Sequence, residues 1–351
     1  MQAQTLITSG MLCAVLAITL CHPGRAIGEE PDPLFRSDDL LSITLSGPFS
    51  TLNKERDKEK IYDDTRLIYT DQQDNEVSVD VQMQVRGNYR LRKEVCRIAP
   101  LRIHFDKPAK GTLFHKQKKL KLVTQCQRSS RNVQYVLQEY LIYRMFHLLT
   151  DYSFKVRLTE VVYIDTTKKK TTTGYGFFIE DKKRVGKRLG LKPIDLHRVK
   201  VVDLDPRQAN LVSTFQFMIG NTDWSILSGE KNEDCCHNAK LLGSEGSKYF
   251  PVPYDFDFSG FINASYAAPG PHMQIKNVRT RYYRGFCELN DLLDGTLERY
   301  QAAKESIYSL IENQPLLTDR VSSKSRKYLE RFYTLIGDPN AVKRKLIKRC
   351  R

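Results

Sequence analysis

Val77-Ser78-Val79-Asp80-Val81-Gln82-Met83-Gln84-Val85 alternates apolar and polar side chains, the pattern of a strand with one buried face. Arg66-Leu67-Ile68-Tyr69 before it, and Leu101–Phe105 and Leu120–Val123 after it, alternate in the same way, and Leu41–Leu45 makes a shorter strand. A helix follows, with Ser129, Ser130 or Asn132 as its cap and Val133, Val136, Leu137, Tyr140, Leu141 and Leu148 at helical spacing. Arg157–Ile164 and Gly176–Ile179 add two strands, with Lys168–Thr173 as an exposed hairpin tip. The second half changes character. Asp205-Pro206-Arg207-Gln208 supplies an N-cap, a first-turn proline and a capping-box glutamine for a helix that runs through Leu211, Val212, Phe215 and Ile219 and stops at Gly220. Strands are expected around Ala239–Leu242 and Tyr249–Tyr254, and helices near Leu289–Ile311 and Arg320–Ile336. Strands gathered around one helix, followed by helices, predict an α+β protein of two lobes with a cleft between them. Residues 29–64 read as a polar lead-in with a short strand, 65–181 as a strand-rich N-lobe with one main helix, and 182–351 as a helix-rich C-lobe with a basic tail.

Met11–Cys21 is an apolar run of signal-peptide length, and Ala26-Ile27-Gly28 offers the small residues of a cleavage site. Residues 1–28 are therefore expected to be an export signal, with no membrane-spanning stretch after it and a secreted or periplasmic destination. Lys and Arg number 56 against 41 Asp and Glu, a formal charge of +15. Lys107, Lys110, Lys116, Lys118, Lys119 and Lys121 lie together without an acid between them, and Lys343-Arg344-Lys345, Lys348-Arg349 and Arg351 form a second cluster. Such clusters attract polyanions, acidic polypeptides among them. No nucleic-acid-binding motif accompanies either, so no nucleic-acid partner is expected. Six cysteines lie beyond residue 28: Cys96, Cys126, Cys235, Cys236, Cys287 and Cys350. An even number in an exported chain points to disulfides. Cys96–Cys126 is the preferred bridge because it would tie two neighbouring strand regions. Adjacent Cys235 and Cys236 are expected to reach separate partners, with Cys287 and Cys350 available.

Three blocks carry the chemistry: Gly220-Asn221-Thr222-Asp223-Trp224, His237-Asn238, and Val252-Pro253-Tyr254-Asp255-Phe256-Asp257-Phe258. Asp223 follows a helix end in a polar loop, where a base can meet a substrate hydroxyl. Asp255 and Asp257 share one face of an extended segment, and paired carboxylates repel unless a cation sits between them or one holds a proton. An Asp, an Asn and an Asp in this order suit phosphoryl transfer, which needs an oriented nucleophile and held metal ions more than covalent chemistry from the protein.

These blocks resemble the active-site blocks of the CotH-type atypical protein kinases. Arg86-Gly87-Asn88, the basic strands Leu101–Lys107 and Lys119–Val123, and Gly174-Tyr175-Gly176-Phe177-Phe178-Ile179-Glu180 resemble further family segments. The likeness spans roughly Val85 to Ala268 and implies a two-lobed kinase-like fold. It also implies roles. Asp223 would orient the attacking hydroxyl. Asn238 and Asp255, assisted by Asp257, would hold Mg²⁺ or Mn²⁺. Lys121, with Arg102 as rival, would grip the phosphates of ATP or another nucleotide and pair with Glu139. Glu180 and its neighbours would offer backbone to the base, and Gly87 would allow close approach to phosphate. The chain departs from ordinary kinases in lacking G-x-G-x-x-G and D-F-G, and fourteen residues separate Asp223 from Asn238. The expected activity is transfer of phosphate to Ser or Thr of a protein, with an acidic polypeptide as the candidate substrate. Its rivals are an inactive kinase-like binder of an anionic ligand and a metal-dependent phosphoesterase.

Overall fold

The computed structural model describes residues 29–351 apart from 231, 232, 271 and 272, so the expected export signal lies outside the described residues. Seven strands close into a barrel: β1 (Leu41–Gly47), β2 (Tyr62–Thr70), β3 (Glu76–Val85), β4 (Leu101–His104), β5 (Lys119–Thr124), β6 (Val156–Asp165) and β7 (Lys170–Ile179), ordered β1-β2-β3-β4-β5-β7-β6. All neighbours are antiparallel except β1 and β6, which run parallel from Leu41↔Thr159 to Gly47↔Asp165.

β1 is what closes the barrel. Leu41, Ile43, Leu45 and Gly47 are buried while the residues between them are more exposed, and the strand bonds to β2 on one side and β6 on the other. Without it both neighbours would present open edges. Met83, Leu67, Leu45, Ile103, Leu120 and Phe178 fill the interior, and Phe114 from the β4–β5 connection packs into the same core, 5.5 Å from Phe105 and 5.8 Å from Phe178 between ring centroids.

This corrects the expected fold. The chain is organised by a closed mixed barrel, not by a two-lobed kinase-like arrangement with a helix-rich second lobe. Residues 29–64 are not a loose lead-in, since they hold β1, the short helix α1 (Phe49–Glu55) and the start of β2. The second half is mixed, with its own antiparallel sheet of β8 (Lys192–Ile194), β9 (Ala239–Gly243) and β10 (Phe250–Pro253), ordered β10-β9-β8.

A second core joins α2 (Ser130–Leu149), which packs on β6 and β7, to α3 (Lys182–Arg188), α4 (Pro206–Ile219), α5 (Leu293–Glu312), α6 (Asp319–Ile336) and α7 (Pro339–Lys345). Ser129 caps α2 by accepting from the Asn132 N–H, and Asp205 caps α4 by accepting from that of Gln208. α4 ends at Gly220, whose φ of 66° favours glycine. A Cβ there would also collide with the Tyr328 hydroxyl. The helix therefore stops three residues before Asp223.

Three disulfides form: Cys96–Cys126, Cys235–Cys236 and Cys287–Cys350. The adjacent pair bonds to itself, contrary to expectation. Cys287 and Cys350 are already aligned by the Cys287 N–H donating to the Arg351 carbonyl and the Arg351 N–H donating to Gly285. That leaves Cys235 and Cys236 to each other. Such bridges are compatible with an extracellular protein. Among the described residues no helix is long and apolar enough to cross a membrane.

Candidate functional site

One cleft of about 830 Å³ lies where the outer face of β3, β4 and β5 meets the loop after α4 and the ends of β9 and β10. Asp223, Asn238, Asp255, Asp257, Lys121, Arg102 and Gly87 all line it. Apart from Glu59 the acids come from the second half of the chain, and most of the cations come from the barrel strands and their connections.

The Asp223 wall is held by short polar contacts. The Asp223 N–H donates to Asn221 Oδ1 at 3.0 Å, and the Trp224 indole N–H donates to the Asn221 carbonyl at 3.1 Å. Asn238 Nδ2 donates to the Asp223 carbonyl at 2.7 Å and to Oδ2 at 3.0 Å. His237 Nε2 lies 2.7 Å from Oδ1 and its Nδ1 lies 3.3 Å from Glu230. The bond to Asp223 holds the His237 imidazole above its ordinary pKa against the opposing effect of burial. The fourteen-residue insert returns to the site because Ser225 bridges His237, Cys235 N–H donates to Leu196, and Tyr254 N–H donates to the Asn238 carbonyl. Asn238 and Asp255 sit at φ of 53° and 64°, left-handed conformations that non-glycine residues adopt at a cost.

Asp257 is 6% exposed and accepts from the Tyr266 hydroxyl at 3.0 Å. Burial first, and then the Asp255 charge, push it up to about 7. Glu139 on α2 is buried behind it and is also raised, by burial and then by Asp257. Arg90 supplies the opposing positive charge to both and donates through Nη2 to the Thr124 carbonyl. Among the described residues Glu139 makes no ion pair with Lys121; the cations acting on it are Arg90 and Arg86. That expected pair is absent because α2 carries Glu139 toward Asp257, behind the cleft floor.

The barrel wall is cationic. Gln84, Arg102 and Lys121 stand in register across β3, β4 and β5, so Arg102 lies directly opposite Lys121. Like charges so placed repel. Lys121 is pulled down to about 7, by burial first and then by Arg86, and its ammonium sits 4.8 Å from the Tyr254 ring centroid. Lys240 approaches the same ring at 5.5 Å. Among the described residues, the ion pairs touching the lining are Lys182–Asp195, His237–Asp223 and His237–Glu230. Arg86, Arg102, Lys121 and Lys240 have none.

Gly87, at φ 86°, is exposed with open space around it. Glu180 does not line the cleft. Its carboxylate accepts from Arg188 and from the Lys155 N–H, and its own N–H donates to the Lys155 carbonyl, so it braces the chain after β7. Lys121 also parts from its sequence cluster, since Lys107, Lys110, Lys116, Lys118 and Lys119 are exposed. Arg86, Arg90, Lys240 and Tyr266 also line or adjoin the site, yet their spacing in the chain carries no signal, and Arg86 alone stands in a quoted segment, Arg86-Gly87-Asn88.

The oxygen donors Asn238, Asp255 and Asp257 suit a hard cation such as Mg²⁺ or Mn²⁺, which keeps waters and takes phosphate oxygens beside one or two carboxylates. Among the described residues no three of His, Cys, Asp and Glu cluster closely enough to hold a metal ion by themselves. Two carboxylates and an amide leave the remaining positions of such a site to water or to another oxygen ligand. A pH effect follows. Asp257 has an ordinary value of 3.8 and about 7 when folded, so its stabilising contribution is full below pH 3.8 and is lost as pH rises through 7. The stability of wild type minus that of Asp257→Asn should fall across this window in denaturant titrations. Mg²⁺ or Mn²⁺ should raise the wild-type midpoint more at neutral pH than near about pH 5.

The chain matches no protein-family model and no curated protein, so its reading rests on the geometry of this cleft.

Proposed function

We propose that the cleft transfers the terminal phosphoryl group of a nucleoside triphosphate, ATP or a relative, to a Ser or Thr hydroxyl of a protein. The observation that carries this is the cleft's polarity. Arg102 and Lys121, which make no ion pair among the described residues and stand side by side, face a wall of carboxylates around a hydrogen-bonded Asp223. Phosphates would satisfy the cations, and Asp223 would meet the acceptor hydroxyl. That oxygen would bond to the terminal phosphorus as the bond to the bridging oxygen breaks. Its proton would pass to Asp223, and nucleoside diphosphate would leave. Asn238, Asp255 and Asp257 would hold Mg²⁺ or Mn²⁺, which when bound neutralises phosphate charge. Lys121, Arg102 and Arg86 would orient the phosphates. The exposed lysines around Lys107–Lys119 would recruit an acidic polypeptide. The proposal needs no kinase-like fold, only this arrangement of side chains. The signal-like sequence of residues 1–28 and the disulfides support a periplasmic or secreted setting for it.

The test uses the oxidised chain. ATP with Mg²⁺ or Mn²⁺ should raise the melting midpoint more than either alone. Labelled terminal phosphate should then appear on an acidic acceptor protein or on the chain itself. Binding without transfer under either metal would replace the proposal with an anion-binding role. Release of inorganic phosphate from esters without transfer would make the site a phosphoesterase.

A further inference from the structure

Arg284 lies outside every motif quoted above, yet its Nη1 donates to two carbonyls, Thr222 and Trp224, at 2.6 Å each. Those carbonyls flank Asp223. The same guanidinium lies 5.2 Å from the Trp224 ring centroid. α4 has ended at Gly220, so neither carbonyl belongs to a helix. We infer that Arg284 is the positioning residue for Asp223, a cation that clamps the peptide on both sides of the proposed base.

The surroundings favour positioning over simple stabilisation. Arg284 makes no ion pair among the described residues, and the carboxylate acting on it is that of Asp223. Burial, then Arg351, draw it down to about 10. The hydrogen bonds it gives go to the backbone on both sides of Asp223 rather than to a carboxylate. What it does is fix geometry. Its own segment is stapled: the Arg351 N–H donates to Gly285 at 2.9 Å, the Cys287 N–H donates to Arg351 at 3.1 Å, and Cys287 is bridged to Cys350. Arg351 also reaches Trp224, at 5.9 Å from the ring centroid. Arg284 is thus a fixed post, and the Asp223 loop hangs from it.

This inference rests on the phosphotransfer reading for its catalytic consequence, but its structural part can be measured separately. Trp224 is the only tryptophan in the chain and is 2% exposed, so its fluorescence reports on this loop alone. Arg284→Met should lower kcat about 100-fold, as a misplacement of about 1 Å does. The KM for the metal–ATP complex should stay within about twofold, because the clamp touches no phosphate. Acrylamide quenching of Trp224 and amide exchange across residues 222–225 should rise severalfold. Arg284→Lys, which keeps a donor, should recover part of kcat and most of the quenching protection, and it serves as the test if the Met variant does not fold. Unchanged quenching and exchange in the variants would overturn the inference, as would kcat and KM shifting together. If the wild type transfers no phosphate, the functional reading fails and Trp224 quenching with amide exchange alone decides the clamp.

Discussion

Asp223→Asn is expected to lower phosphate transfer about 1,000-fold while leaving the nucleotide-induced rise in melting midpoint intact. The substitution keeps the side chain's shape. Asn238 Nδ2, now 2.7 Å from the Asp223 carbonyl, keeps that bond whatever the side chain is. Lost are the negative charge and the capacity to take the acceptor's proton. His237 also loses the carboxylate that holds its imidazole above its ordinary pKa. Arg102 and Lys121, proposed to face phosphate, stand on the barrel and should be untouched. Single-turnover transfer with and without saturating ATP separates the outcomes. A variant that still transfers would remove Asp223 from the chemistry. One that no longer binds nucleotide would make it a binding residue.

Lys121→Met should have two effects of opposite sign. Nucleotide affinity should fall about 10- to 100-fold, since a hydrogen bond to a charged group is worth about 1.5–3 kcal/mol. The empty protein should become more stable. Lys121 has an ordinary value of 10.5 and about 7 when folded, so folding forces off a proton over that range. Its penalty is full below pH 7 and disappears as pH rises toward 10.5. The gain from methionine should therefore be largest at and below neutral pH and shrink toward pH 10.5. Removing Arg102's like-charged neighbour adds to it. Midpoints from denaturant titrations with and without ATP would show both effects. A less stable empty variant would mean that Lys121 has a counter-ion in the folded protein.

The strands and long helices were legible because each follows from local patterning. Val77–Val85 alternates, and the Asp205 cap and Gly220 stop bracket α4 at the residues where they stand in the chain. The pairing partners of Leu41–Leu45 were not legible. Nothing in that segment says it will lie parallel to β6, 118 residues away at Leu41↔Thr159, and so turn an open sheet into a barrel. The cysteines show the same limit. Cys96–Cys126 joins neighbouring strand regions, whereas Cys287–Cys350 depends on a backbone pairing between segments 63 residues apart. For the site, Asp223, Asn238 and Asp255 stood out through the order of their blocks, with Asp223 in a polar loop after a helix end and Asp255 between apolar residues. Glu180 and Glu139 were named only through the family resemblance, and one braces Arg188 while the other faces Arg90. A charge's partner is a matter of three-dimensional proximity, which residue type does not encode.

The amino-acid sequence alone determined the main strands and the long helices, the order of the acid, amide and acid blocks, and the excess of positive charge. These depend on residues within a few positions of one another. Only the tertiary structure decided that the strands close on themselves, that Arg102 and Lys121 confront those blocks across one cleft, and that Arg284 grips the loop between them. Closure and charge pairing are set by long-range contacts, whose free energy comes from burial and Coulomb interaction between segments distant in the chain.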